Sequence, residues 1–67
     1  MTQLLQQIAR KDTGISYGVR FAIKQDQEYE ALKMLKSMTR DNENLMVKNF
    51  GQELVNQIKN EPYPLAN

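Results

Sequence analysis

Four cations fall in the first part of the chain, Arg10, Lys11, Arg20 and Lys24, and Asp12 is the only acid among residues 1–24. Residues 25–67 hold five bases against seven acids, so a whole-chain net charge of +1 conceals an uneven distribution. Asymmetry of this kind bears on partners rather than on fold. A net charge so small argues against an indiscriminate polyanion binder. Catalytic chemistry has little to work with. The chain has no Cys and no His, which removes disulfides, thiolate metal sites, the commonest general base and the commonest zinc ligand. Glu28 and Glu30 read as acids in the first turn of a helix, where the dipole favours them, rather than as an acid–base pair. No glycine loop for phosphates, metal cage or nucleophile with a base is recognisable. The residues equip the chain for recognition; no enzyme, cofactor or metal is expected.

The elements that must position these cations can be read from apolar spacing. Residues 15–24 run Ile-Ser-Tyr-Gly-Val-Arg-Phe-Ala-Ile-Lys. Every odd position is apolar and every even one is small or cationic, the period of a strand with one buried and one exposed face. The spacing predicts that Ile15, Tyr17, Val19, Phe21 and Ile23 point inward and that Gly18, Arg20, Ala22 and Lys24 point outward. Before it, Thr2 to Lys11 reads as a short helix with Leu4, Leu5 and Ile8 on one stripe, too short to be stable unless docked. Asp12-Thr13-Gly14 is a break. After it, Asp26 is a candidate N-cap for a helix over residues 27–38, striped by Tyr29, Leu32, Leu35 and Met38. Residues 40–44 are wholly polar and read as a turn, with Asp41 or Asn42 capping the next helix. That helix carries Leu45, Met46, Val47, Phe50, Leu54, Val55 and Ile58 to about Asn60, with Gly51 inside it at a cost of about 1 kcal/mol relative to alanine. Close approach of a neighbouring helix would account for that glycine. Pro62 stops the helix, and residues 61–67 form an extended tail.

Size then becomes a constraint. A core drawn from 67 residues rarely supplies more than roughly 3–5 kcal/mol, so such a chain needs a staple or a partner. Without cysteine, oligomerisation is the staple left. An apolar content of 40% with nearly balanced charge speaks against wholesale disorder. No apolar run approaches membrane-spanning length, and the first residues lack a signal peptide's basic end and apolar block. A cytoplasmic protein with no membrane partner and no small-molecule substrate is the expectation. A lone strand leaves its backbone groups unpaired. It can pair with its copy in a second chain, fold on itself as a hairpin, or add to another protein's sheet. Self-pairing accounts best for the small size and the missing second strand.

Strand, helix, polar turn, helix, over Tyr17 to about Asn60, resembles the ribbon-helix-helix DNA-binding family. The resemblance implies a mainly α fold with one strand per chain: a homodimer whose two strands form an antiparallel ribbon over a four-helix core. Residues 1–14 would be an N-terminal helix or arm, 15–60 the ribbon-helix-helix domain and 61–67 a tail. It also implies a ribbon inserted in the DNA major groove, with Gly18, Arg20, Ala22 and Lys24 facing base edges. Arg20 would suit guanine O6 and N7, and the Ala22 methyl a thymine methyl. Asn42 and Asn44, at the start of the second helix, would hold a phosphate, with Arg10 and Lys11 as further phosphate contacts from the arm. The function so implied is that of a homodimeric transcriptional regulator, most simply a repressor of double-stranded operators, with higher-order assembly on DNA open to it. A different class remains beside it: a small adaptor or inhibitor docking on a protein through the strand or the tail.

Overall fold

The computed structural model describes residues 3–63 as five α-helices: α1 Gln3–Arg10, α2 Gly14–Lys24, α3 Glu28–Asp41, α4 Glu43–Phe50 and α5 Gln52–Asn60. No strand occurs among the described residues, so the ribbon-helix-helix fold class is corrected to an all-helical one. α3 packs against all four other helices, and α1 also reaches α2 and α5. One apolar cluster results, from Leu4, Leu5 and Ile8 of α1 through Val19 and Ala22 of α2 to Leu54, Val55 and Ile58 of α5. The part of the homodimer argument that rested on a strand in need of a partner falls with the strand.

The segment read as a strand became α2 because its pattern satisfies both periods. Positions 15, 19 and 23 recur every fourth residue, a step that keeps the same face in a strand and nearly so in a helix. In the helix Val19 is buried with Ile15 and Ile23 packed beside it, and Ser16 and Ala22 complete the inner face. Tyr17 and Phe21, assigned to the interior by the strand reading, are turned out to solvent. A helix closes its own hydrogen bonds, whereas the strand had nothing in the chain to pair with. Thr13 starts it: the Ser16 amide donates to Thr13 Oγ1 at 3.1 Å, an N-cap in extended geometry. The break foreseen at residues 12–14 is therefore present, but it separates two helices.

α1 docks as its stripe requires, with Leu4, Leu5 and Ile8 all buried; the cap foreseen at Thr2 lies outside the described residues. Asp26 does not cap α3. It takes a φ of 57°, the left-handed conformation that ends α2, while the Gln27 amide donates back to the Ala22 carbonyl at 2.8 Å. α3 runs on to Asp41, three residues past its expected end, burying Ala31, Leu32, Leu35 and Thr39. The polar turn shrinks to Asn42, which follows α3 and caps α4 by accepting the Leu45 amide at 3.1 Å.

The helix expected to run from Leu45 to Asn60 is two helices. Gly51 divides them at a φ of 87°, with its amide donating to the Val47 carbonyl at 2.7 Å and its own carbonyl accepting from Val55 at 3.1 Å. A Cβ at Gly51 would meet nothing within 4 Å. Backbone conformation, and not close helix approach, explains the glycine. α5 stops at Asn60, ahead of Pro62 as foreseen. Lys36 Nζ of α3 donates to the Ile58 and Lys59 carbonyls at 2.9 and 3.3 Å, closing the end of α5. Tyr63 lies against Tyr29, ring centroids 5.3 Å apart; the tail beyond it lies outside the described residues.

Two left-handed residues of different type give a stability test. Gly51→Ala should destabilise the fold by about 1–2 kcal/mol and Asp26→Val by about as much, because a side chain, β-branched at position 26, is forced to positive φ. Asp26→Gly should be near neutral. Urea unfolding followed by circular dichroism reads all three; an unchanged midpoint for Gly51→Ala would contradict the break at that residue.

Candidate nucleic-acid interface

The cations concentrated in the first 24 residues meet on α1, the turn Lys11-Asp12-Thr13 and α2. Arg10, Lys11 and Lys24 are exposed. Arg10, Arg20 and Lys24 line one shallow depression with Gln6, Ala9 and Ile23. The inner face of α2 is occupied by the core, so its outward face carries Gly14, Tyr17, Gly18, Phe21 and Lys24, spaced as a single helical stripe. Tyr17 is 68% exposed and Phe21 66%, the highest values among the large apolar side chains described. They stand four residues apart, one turn of helix, and so are neighbours. The glycines leave the backbone bare between and beside them. A Cβ at Gly18 would sit at an ordinary 3.5 Å from Met34 Cε, and one at Gly14 would meet nothing.

Four residues were expected to face DNA bases, and the helix redistributes them. Arg20 is turned towards α1. Its Nη1 donates to the Ala9 carbonyl at 2.5 Å and to the Lys11 carbonyl at 3.3 Å. The guanidinium also lies over the Tyr17 ring, 4.5 Å from its centroid. It therefore closes the C-terminal end of α1, where unpaired carbonyls and the helix dipole both favour a cation. A guanidinium so engaged is a structural clamp and not a free fork for guanine. Ala22 is 9% exposed and belongs to the core, so its methyl has no route to a thymine. Gly18 and Lys24 remain on the outward face.

The expected phosphate contacts separate in the same way. Arg10 and Lys11 share the α1–α2 corner with the outward face of α2. Asn42 and Asn44 belong to the junction of α3 and α4. Asn42 Oδ1 is used in capping α4, and Asn44 is exposed in the first turn of that helix. Asp41 and Glu43 flank that junction, and Glu43 pairs with Lys59 at 3.1 Å. Negative charge beside the α4 start makes it a poor phosphate holder. Ser16, another even-numbered position of residues 15–24, is buried, and its hydroxyl donates to the Ile8 carbonyl at 2.7 Å.

Tyr17 and Phe21 are the residues that alternation concealed. The signal that could have found them is their i, i+4 spacing with Gly14 and Gly18 on the same helical stripe. No family model matches the chain, and no curated protein or solved structure matches it. Among the described residues no three His, Cys, Asp or Glu side chains group to hold a metal ion, and no helix is long and apolar enough to cross a membrane.

The clamp assigned to Arg20 is open to test. Arg20→Ala should cost about 1–2 kcal/mol of folding stability through the lost hydrogen bonds and ring contact. Arg20→Lys should recover only part of it, because an ammonium lacks the planar stack. Chemical denaturation measures both; full stability in Arg20→Ala would show that the guanidinium does not hold α1.

Proposed function

We propose that the chain is a duplex-DNA-binding regulator that presents α2 to the major groove, with α1, the turn at residues 11–13 and α2 acting as a helix-turn-helix. The observation that carries this reading is the outward face of α2: two exposed aromatic rings and two glycines, with Arg10 and Lys24 together lining the depression beside it and Lys11 exposed in the preceding turn. The dimensions agree. A helix with side chains is about 10–12 Å across and the B-form major groove is about 12 Å wide. Eleven residues of α2 span about 16 Å at 1.5 Å each, and Arg10 and Lys24, side by side along one flank of it, are placed to meet the phosphates of one groove wall.

The acids support the same orientation. Asp12 is the one carboxylate within residues 1–24, and the other seven follow α2 in the chain. A polyanion approaching α1 and α2 meets the basic part of the molecule. Occupying a site is the simplest regulatory output for so small a chain, so a repressor is the role inferred. One copy presents one reading helix, and the proposal needs no paired ribbon. A protein partner seated on the same aromatic face is the competing reading, and it lacks a use for the cations beside that face.

Fluorescence anisotropy on duplexes enriched from a random pool tests the proposal. With Arg10, Lys11 and Lys24 as phosphate contacts, the logarithm of affinity should fall against the logarithm of salt with a slope of about −3, and each Ala substitution among them should reduce the slope by about 1. Absence of any enriched duplex at low salt, together with a nuclease-insensitive protein partner in pull-down, would replace DNA binding with protein docking.

A further inference from the structure

We infer that Phe21 and Tyr17 discriminate DNA by packing on thymine C5-methyl groups in the major groove, an inference that rests on the DNA-binding reading above. Phe21 has no polar atom, and two thirds of it is exposed on a helix whose other face is fully used by the core. Among the edges that base pairs present in the major groove, the thymine methyl is the apolar one; the others offer hydrogen-bond donors and acceptors. An apolar ring carried into that groove therefore gains most over thymine and desolvates polar edges elsewhere.

The position of Arg20 sharpens the assignment. Its Nη1 is committed to the carbonyls of Ala9 and Lys11, so the residue best suited to guanine is withdrawn from the reading face. Its guanidinium also covers one face of the Tyr17 ring. Tyr17 is left with its far face and edge, which suit a methyl contact better than intercalation between bases. Single-strand binders set aromatic platforms along a groove that tracks the backbone, whereas these rings project from the convex side of a helix. A-form RNA offers a major groove too deep and narrow for side chains to read. Duplex DNA is the occupant these features favour.

Spacing adds a register. Residues four apart lie about 6 Å apart along the helix axis, close to two base-pair steps of about 3.4 Å. The two rings thus reach methyls about two steps apart, as successive thymines on one strand of an alternating dA/dT duplex are. Gly14 adds no side chain at the start of that face, and the Cβ position of Gly18 lies beside Met34 of α3.

Replacing thymine with deoxyuridine removes the methyl and leaves every hydrogen-bonding group and phosphate in place. The full chain is titrated by anisotropy against three probes of equal length: an alternating dA/dT duplex, its dA/dU counterpart and an alternating dG/dC duplex. Burial of one methyl corresponds to about fourfold in affinity, so loss of both contacts should weaken dA/dU binding about fifteenfold relative to dA/dT. Phe21→Ala should bind dA/dT more weakly and largely erase the dT-over-dU difference, with Tyr17→Ala removing the remainder. Phe21 lies outside the core, so Phe21→Ala should keep the wild-type helical spectrum. Equal affinity for dA/dT and dA/dU by a chain that binds all three duplexes would overturn methyl reading and leave DNA binding standing. Binding to none of them at low salt would overturn the DNA reading itself. Preference for a single-stranded dT oligomer over every duplex would overturn groove docking in favour of base stacking.

Discussion

Eight-residue helices do not hold themselves together in water, and three of the five helices here have only eight or nine residues. What makes the architecture possible is the closing of helix C-terminal ends by polar side chains from neighbouring helices. At the end of α1, Ser16 takes the Ile8 carbonyl and Arg20 takes those of Ala9 and Lys11. At the end of α5, Lys36 takes the carbonyls of Ile58 and Lys59. The donors come from the longer helices α2 and α3 and the acceptors from short ones. Each contact answers the unpaired carbonyls of a helix end and places a positive charge, where the donor is a cation, against the negative pole of the dipole. Apolar burial brings the helices together, and these donors fix where each short helix stops.

The same device decides what α2 can offer to a partner. Two of its polar or charged positions, Ser16 and Arg20, are bonded to the end of α1, and the Thr13 cap precedes them. The outward face inherits what is left, two rings, two glycines and Lys24. The assignment of Arg20 to solvent failed for this physical reason. A guanidinium within reach of unpaired carbonyls and an aromatic face gains more there than as a free side chain in water.

Much of the fold was legible, but residues 15–24, the role of Asp26 and the break at Gly51 were not. The stripe Leu4-Leu5-Ile8, Leu32 and Leu35 at the centre of the α3 stripe, a cap at Asn42 (one of the two residues expected) and the stop before Pro62 each carry one dominant local signal and appear as read, whereas Tyr29, placed on the α3 stripe, is exposed. Residues 15–24 carry two signals of equal regularity. Their apolar positions alternate, and their every-fourth subset also forms a helical face; β-branched and aromatic residues, favourable in strands, tip the reading only weakly because such preference depends on surroundings. Surroundings decided it, since α1 and α3 offer helix-packing surfaces on both sides and no described segment offers a strand edge. Gly51 was ambiguous in another way. A glycine within an apolar stripe signals either close packing or positive φ, and only the backbone distinguishes them. For the candidate site, the clustering of cations was visible in charge order alone, whereas the outward rings depended on choosing the right period.

The division of labour within α1 and α2 follows from these placements. Phosphate contacts supply affinity without information, and sequence is read by what touches base edges. Arg10, Lys11 and Lys24 are exposed, the first and last of them side by side along one flank of α2, which suits them to the first task. The second task needs groups along the middle of the helix, and there the outward face has Tyr17, Gly18 and Phe21. A reader built this way has one hydroxyl and two rings with which to discriminate, so its selectivity must rest on shape and apolar contact more than on bidentate hydrogen bonds. On the proposed reading its affinity would be dominated by salt-sensitive charge, and its specificity by the aromatic surface kept out of the core by the helical turn of residues 14–24.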